Sequence, residues 1–158
     1  ETVIKGVIEL RQKGMQARLD IIGDTKMPQD EEYKKTLVEM IHASNLNGMV
    51  RISGGVPYEQ IKEVYDSHDI FVHTSRTGSM DKVVLEALAA GLTVFSSSEA
   101  FAGLADIIIP FAPNDYKSLA GSIEKIAKFG IVDRECGRQY VRENHDLGRL
   151  LERIVNYY

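Results

Sequence analysis

The order of apolar runs along the chain predicts an α/β fold, a doubly wound parallel sheet covered by helices on both faces. Five short apolar runs ("ARLDIIG", "MVRIS", "DIFVHTS", "LTVFSS" and "ADIIIPF") alternate with segments whose apolar residues recur at helical spacing. That alternation is the pattern of parallel sheets, whose strands are buried under crossover helices. The 158 residues are one domain's worth of chain. Such a domain buries about two thirds of its unfolded surface and needs no staples.

Each element has its own justification. Val3, Ile4, Val7 and Ile8 mark a first helix, and Gly14 supplies its stop. The first apolar run, ending at Gly23, is a short buried strand. The polar stretch "DTKMPQDEE" reads as a loop leading into a helix with Tyr33, Leu37, Met40 and Ile41 on one face. "MVRIS" is the second strand, closed by Gly54 and Gly55. Pro57 suits the first turn of the next helix, where Ile61, Val64 and Tyr65 face inward. "DIFVHTS" is a strand and "MDKVVLEALAA" a helix, with Gly91 just past its end. "LTVFSS" and "ADIIIPF" hold the last two strands. Helical segments follow around residues 119–127 and 133–144, and a terminal one carries Leu147, Leu150, Leu151, Ile154, Val155 and Tyr158 as a one-sided stripe. Folds of this class begin with a strand, whereas this sequence begins inside a helix. The expectation is a single domain over residues 1–158, cut after a first, central strand and its phosphate-facing loop.

Composition narrows the function classes. A hydrophobic share of 44% with 27% charged residues is ordinary water-soluble usage. The net charge of -4 gives no support to a nucleic-acid or anionic-membrane partner, although a local basic pocket for a phosphate ligand stays open. Cys136 is the only cysteine, which excludes an internal disulfide and a cysteine-rich metal site. It is expected to be a small buried side chain in a reducing compartment. No run approaches the ~20 apolar residues of a membrane span, and the first residues do not read as a signal peptide. A cytoplasmic location is expected.

The stretch "TSRTGSMDKVVLEALAAG", Thr74 to Gly91, is the most informative. In open parallel sheets, ligands sit outside the carboxyl ends of strands, where strand–helix turns and helix N-termini meet. Gly78 permits a backbone conformation closed to other residues, and Ser79 is placed to cap the helix. The first-turn amides and the helix dipole form an anion site, the dipole alone contributing about 0.3–1 kcal/mol. Val83, Val84, Leu85, Ala87 and Leu88 cover most of the helix, leaving Lys82 and Glu86 on one narrow polar stripe. Helical side chains lean toward the N-terminus, so the Glu86 carboxylate is aimed back at the same crevice. A carboxylate beside a phosphate site suits a ligand with both anion and hydroxyls, such as a nucleotide ribose. The competing reading is an i,i+4 ion pair of Lys82 with Glu86 on a solvated stripe. Spacing alone leaves both open.

The block "GVPYEQIKEVYDSHDIFVHTSRTGSMDKVVLEALAAGLTVFSS" resembles the donor-binding half of retaining GT-B glycosyltransferases, glycosyltransferase family 4 (group 1). The family has a strand plus glycine, a helix ending in an aromatic, a small-Asp strand start and a serine-containing turn. An E-x7-E helix follows, ending Glu-Ala-x-Ala-x-Gly. The matching positions are Tyr65, Asp69, Ser75, Glu86-Ala87, Ala89 and Gly91. "DIIGD" is similar to the family's earlier strand and Gly-Asp turn, so the likeness covers nearly the whole chain.

The resemblance implies the Rossmann-like C-terminal half of GT-B and assigns roles by position. Glu86 falls at the second motif glutamate, which binds the ribose hydroxyls of the nucleotide-sugar. The first motif glutamate falls at Gly78, a departure that touches the sugar contacts, for which Asp81 or Arg76 are the substitutes at hand. The amides of Ser79, Met80 and Asp81 fall where the family approaches the transferred sugar, and those of Lys82 and Val83 where it holds the diphosphate. Arg51 falls near the base pocket and Gly23 lines the opposite wall, with Thr25 replacing a second glycine common in that turn.

What the resemblance implies is transfer of a sugar from a nucleoside-diphosphate donor (UDP- or GDP-sugar) to an acceptor hydroxyl with retention. No metal and no cofactor is required, and no single catalytic residue is assigned. The use is glycan or glycolipid biosynthesis, with a glycan or lipid-linked acceptor held by an N-terminal domain outside this sequence. Peripheral membrane association of the full-length protein is compatible with that use. The isolated chain, lacking the acceptor domain and the family's basic pair, is expected to be inactive. The rival readings are a non-catalytic nucleotide- or partner-binding module of the same fold, a GT-B epimerase and a receiver domain. "HTSRTG" and "FSSS" lack the acid, Asp and Lys set a receiver needs. His73, at a strand's carboxyl end, could face the site but reads first as a packed or surface histidine, and His42, His68 and His145 read as structural or solvated. Lys26 could reach a phosphate but reads first as a solvated loop lysine.

Overall fold

Secondary structure begins where the helical spacing of the first residues places it. The computed structural model describes residues 1–24, 27–75, 78–130, 133–146 and 148–149. The terminal stripe from Leu147 to Tyr158 lies outside the described residues, apart from Gly148 and Arg149. The described chain divides into two compact units.

The first unit comprises residues 1–61 and 114–130. Helix α1 spans Thr2–Gln12 and ends two residues before Gly14, which sits at φ 79°. Strand β1 (Leu19–Ile22) pairs in parallel with β2 (Val50–Ser53), with Leu19 opposite Val50 and Asp20 opposite Arg51. Between them lies helix α2 (Pro28–Ala43). It starts inside the stretch expected to be a loop, because Pro28 occupies the first helical position and the Asp30 carboxylate accepts the Met27 N–H at 3.1 Å. Leu37 and Ile41 of α2 are buried with Ile4, Val7, Leu46 and Val50 in one apolar cluster. Tyr33, expected on that face, is half exposed because it lies a full turn before the packed stretch. Helix α5 (Tyr116–Phe129) packs on α1, Leu119 lying against Gly6, where a Cβ would sit 3.6 Å from the leucine Cδ2.

The second unit comprises residues 62–113 and the chain after Gly130. After a 3₁₀ turn at Tyr58–Gln60, helix α3 runs over Ile61–Asp66. Pro57 thus precedes a 3₁₀ turn rather than an α-helical one. Strands β3 (Ile70–His73), β4 (Thr93–Ser96) and β5 (Ile108–Pro110) form a parallel sheet in that order. All four residues of the central strand β4 are buried, which explains its continuous run of apolar and small side chains. Helix α4 (Lys82–Ala90) follows β3 and ends at Gly91, which is left-handed at φ 82°. A 3₁₀ segment at Glu99–Leu104 precedes β5, and helix α6 (Arg134–Asn144) packs on α4. That contact is close at Gly137, where a Cβ would meet Leu88 Cδ2 at 2.9 Å.

Among the described residues the strands form two parallel ladders, β1-β2 and β3-β4-β5. One expectation needs correction. Cys136 is exposed, not buried: α6 buries Gly137 toward α4, so the adjacent Cys136 faces outward and bonds to Asp133 at 3.5 Å. That carboxylate raises its thiol pKa.

Candidate functional site

The site residues of the second unit lie on the β3–α4 connection and on α4. Gly78 stands at φ 67°, the left-handed conformation for which a glycine was expected there. Ser79, Met80, Lys82 and Val83 are exposed. The N-cap of α4 is Asp81, not Ser79, and its side chain makes no capping bond. The Asp81 carboxylate instead accepts from Ser79 Oγ at 2.8 Å through Oδ1 and from His73 Nε2 at 2.7 Å through Oδ2. The Asp81 side chain therefore does not cap the first-turn amides of α4, whose partial positive charge favours an anion.

His73 is the buried hinge of this arrangement. The β3–β4 register pairs it with Ser96, so both side chains stand at the carboxyl ends of adjacent parallel strands. His73 Nδ1 lies 3.0 Å from Ser96 Oγ, and the ring meets Phe101 edge-on at 5.6 Å. With Nε2–H donating to Asp81, Nδ1 accepts the Ser96 hydroxyl proton, and Ser96 Oγ accepts the Ser98 N–H at 3.1 Å. Every polar atom of the ring is thus matched, as burial requires. The bond from His73, then that from Ser79, holds the Asp81 carboxyl below its ordinary pKa.

Glu86 is half buried, one turn into α4 from Lys82. Its partner is not Lys82: Oε2 accepts from the Tyr65 hydroxyl at 3.1 Å. Tyr65 is 8% exposed and its ring is edge-on to Phe71 at 6.2 Å. Burial, then the bond to Glu86, pushes its phenol pKa far up, so the hydroxyl keeps its proton and donates. The polar stripe is wider than the helical spacing suggested, since Val83 is 43% exposed beside Lys82.

The remaining predicted site residues lie elsewhere or beyond description. Gly23 follows β1 and Arg51 lies on β2, in the first unit. Arg51 faces Asp20 across the ladder, with Nε and Nη2 each 2.9 Å from a carboxylate oxygen. This bidentate pairing raises the guanidinium pKa still further. Arg76, Thr25 and Lys26 lie outside the described residues. Among the described residues, no group of three or more His, Cys, Asp or Glu side chains is gathered where it would hold a metal ion.

Sequence reasoning missed the partners of the two carboxylates. Tyr65 was read as an inward-facing aromatic, but its tie to Glu86 depends on how α3 packs beside α4. The His73–Ser96 contact follows only from strand register. The one legible signal was polarity: a histidine and a serine ending adjacent apolar runs are unusual in buried strands.

The family model for glycosyl transferases group 1 matches residues 1–140. No curated protein matches the chain in sequence. Anabaena HepE, solved in complex with UDP, is similar in structure with a TM-score of 0.82 at 17% identity, covering 97% of this chain and 44% of that one. The pneumococcal O-GlcNAc transferase GtfA, solved with UDP and GlcNAc, gives 0.75 at 16% identity, covering 99% and 32%. The C-terminal domain of the group 1 protein LpcC of Francisella tularensis gives 0.76 at 19% identity, covering 92% and 78%. The chain thus spans less than half the length of the HepE and GtfA chains. At these identities the structures establish a shared α/β, Rossmann-like fold. The family rests on the match over residues 1–140, and the chain belongs to the glycosyl transferases group 1 family.

Proposed function

We propose that this chain is the donor-binding part of a retaining family 4 glycosyltransferase, holding a nucleoside-diphosphate sugar, UDP- or GDP-linked, for transfer to an acceptor hydroxyl. One observation carries the reading: Glu86 presents a half-buried carboxylate on α4, held through one oxygen by Tyr65. The carboxylate accepts ribose hydroxyls while the first-turn amides of Lys82 and Val83 take the diphosphate. The UDP-bound neighbours HepE and GtfA support the donor class.

In this reading the sugar–diphosphate bond breaks as the acceptor hydroxyl attacks from the same face. Catalysis rests on stabilising the leaving diphosphate by amides and cations, without a metal. The acceptor domain lies outside this chain, the acceptor is a glycan or a lipid-linked sugar, and the protein acts in the cytoplasm, in glycan or glycolipid synthesis. Calorimetric titration of wild type and Glu86→Ala with UDP, GDP and ADP tests the donor assignment. Selective binding weakened tenfold or more by Glu86→Ala is expected, the range for a charge-assisted hydrogen bond. An unchanged dissociation constant overturns the ribose assignment.

Gly78 at the place of the first motif glutamate, and the engagement of Asp81 with His73 and Ser79, favour a second reading. There the chain binds nucleotide without transferring sugar. Nucleotide binding without release of diphosphate from a nucleotide-sugar by the full-length protein would select it.

A further inference from the structure

Tyr65 places the only hydrogen bond described at the Glu86 carboxylate, and the geometry fixes it closely. The phenol ring is buried at 8% exposure and wedged edge-on against Phe71 at 66°, so the hydroxyl has little freedom. It has one proton and two acceptors in reach, Glu86 Oε2 at 3.1 Å and the Val83 carbonyl at 3.4 Å. The nearer acceptor is also the charged one, and hydrogen bonds to ionised acceptors are the stronger. The Oε2 atom is thereby engaged from the α3 side.

We propose that Tyr65 is a positioning residue: its hydroxyl holds Oε2, selects one rotamer of Glu86, and leaves Oε1 to accept from the vicinal hydroxyls of the nucleotide. This rests on the reading of Glu86 as the ribose acceptor. A glutamate with three free torsions loses that freedom when a ligand binds, and fixing it beforehand is worth about two- to tenfold in affinity. Tyr65 thus raises affinity for the ribose without touching it.

The test uses UDP and its 2′,3′-dideoxy counterpart as probes on the wild type, Tyr65→Phe, Glu86→Ala and the double variant. Tyr65→Phe keeps the buried ring and removes only the hydroxyl. The expected result is about three- to tenfold weaker UDP binding in Tyr65→Phe with dideoxy-UDP unchanged. Glu86→Ala should abolish the preference for UDP over dideoxy-UDP, and adding Tyr65→Phe to it should change nothing further, because the two residues act as one unit. Equal weakening of both probes in Tyr65→Phe would mark a merely structural role and overturn the proposal, as would additive effects in the double variant. Loss of the preference in Glu86→Ala with none in Tyr65→Phe overturns the positioning role alone. A preference that survives Glu86→Ala sinks the ribose reading itself, and the positioning role with it.

Discussion

Gly78 takes a left-handed φ of 67°, and among the described residues, its chain neighbours aside, no atom lies within 4 Å of where a Cβ would stand. Space is therefore not what keeps a side chain out; backbone strain is. Placing an L-residue in this region costs about 1–2 kcal/mol. Gly78→Ala should lower stability by about 1 kcal/mol, read from urea denaturation, with no change in packing. Gly78→Glu, which restores the family's first glutamate, should carry the same strain. An unchanged midpoint in both would mean that the turn relaxes to negative φ. The need for glycine here was legible, because a short turn between strand and helix demands one unusual φ. What Asp81 does was not: it meets a histidine eight residues earlier, and local spacing cannot distinguish that from a contact to the helix amides.

At the scale of elements, α4 shows how a helix is ended and anchored. Its last turn leaves carbonyls without intrahelical partners, and the Ala90 carbonyl accepts from Arg138 Nη2 of α6 at 3.0 Å. Gly91 follows at φ 82°, with the Arg138 guanidinium packed where a Cβ would be. Gly91→Ala therefore meets two costs, about 1–2 kcal/mol of left-handed strain and the displacement of Arg138 from Ala90. We expect a loss of about 2 kcal/mol or more by urea denaturation, against a smaller loss for Arg138→Ala alone. Equal losses would mean that the arginine, not the backbone, decides. The stop at Gly91 was readable because a glycine after a helical stripe is a common C-terminal signal. The start of α2 was misread, since "PQDEE" is as polar as a loop; Pro28 and Asp30 were the signals that outweighed composition. The 3₁₀ segment at Glu99–Leu104 had no period to betray it. Its Phe101 meets the His73 ring only through tertiary packing.

At the scale of the whole molecule, the strands and their succession along the chain were legible in the apolar runs, while their pairing was not. Pairing is set by which strands lie side by side, and no run announces its neighbour. Charge is readable at this scale too, through acid stability. Each unit carries a carboxylate whose pKa is lowered by folding. In the first, Glu124 accepts from Lys128 and from Lys13, and is held at about 2 against an ordinary 4.5. In the second, Asp81 is held below 3.8 by His73 and Ser79. A lowered folded pKa means that the unfolded chain takes up protons first. The stabilisation is present above the unfolded value and is lost as pH falls through the folded one. Lys13, raised above 10.5 by Glu124, has the opposite sign, so its share is complete below that pH and lost only above it. Urea midpoints should therefore hold their plateau down to about pH 5 and fall from there toward pH 2. Glu124→Gln should be less stable than wild type at pH 7, and the gap should close between pH 4.5 and about 2. A gap that stays constant across that range would show that Glu124 acts through packing rather than through its charge, because only a titrating group loses its contribution as it takes up a proton.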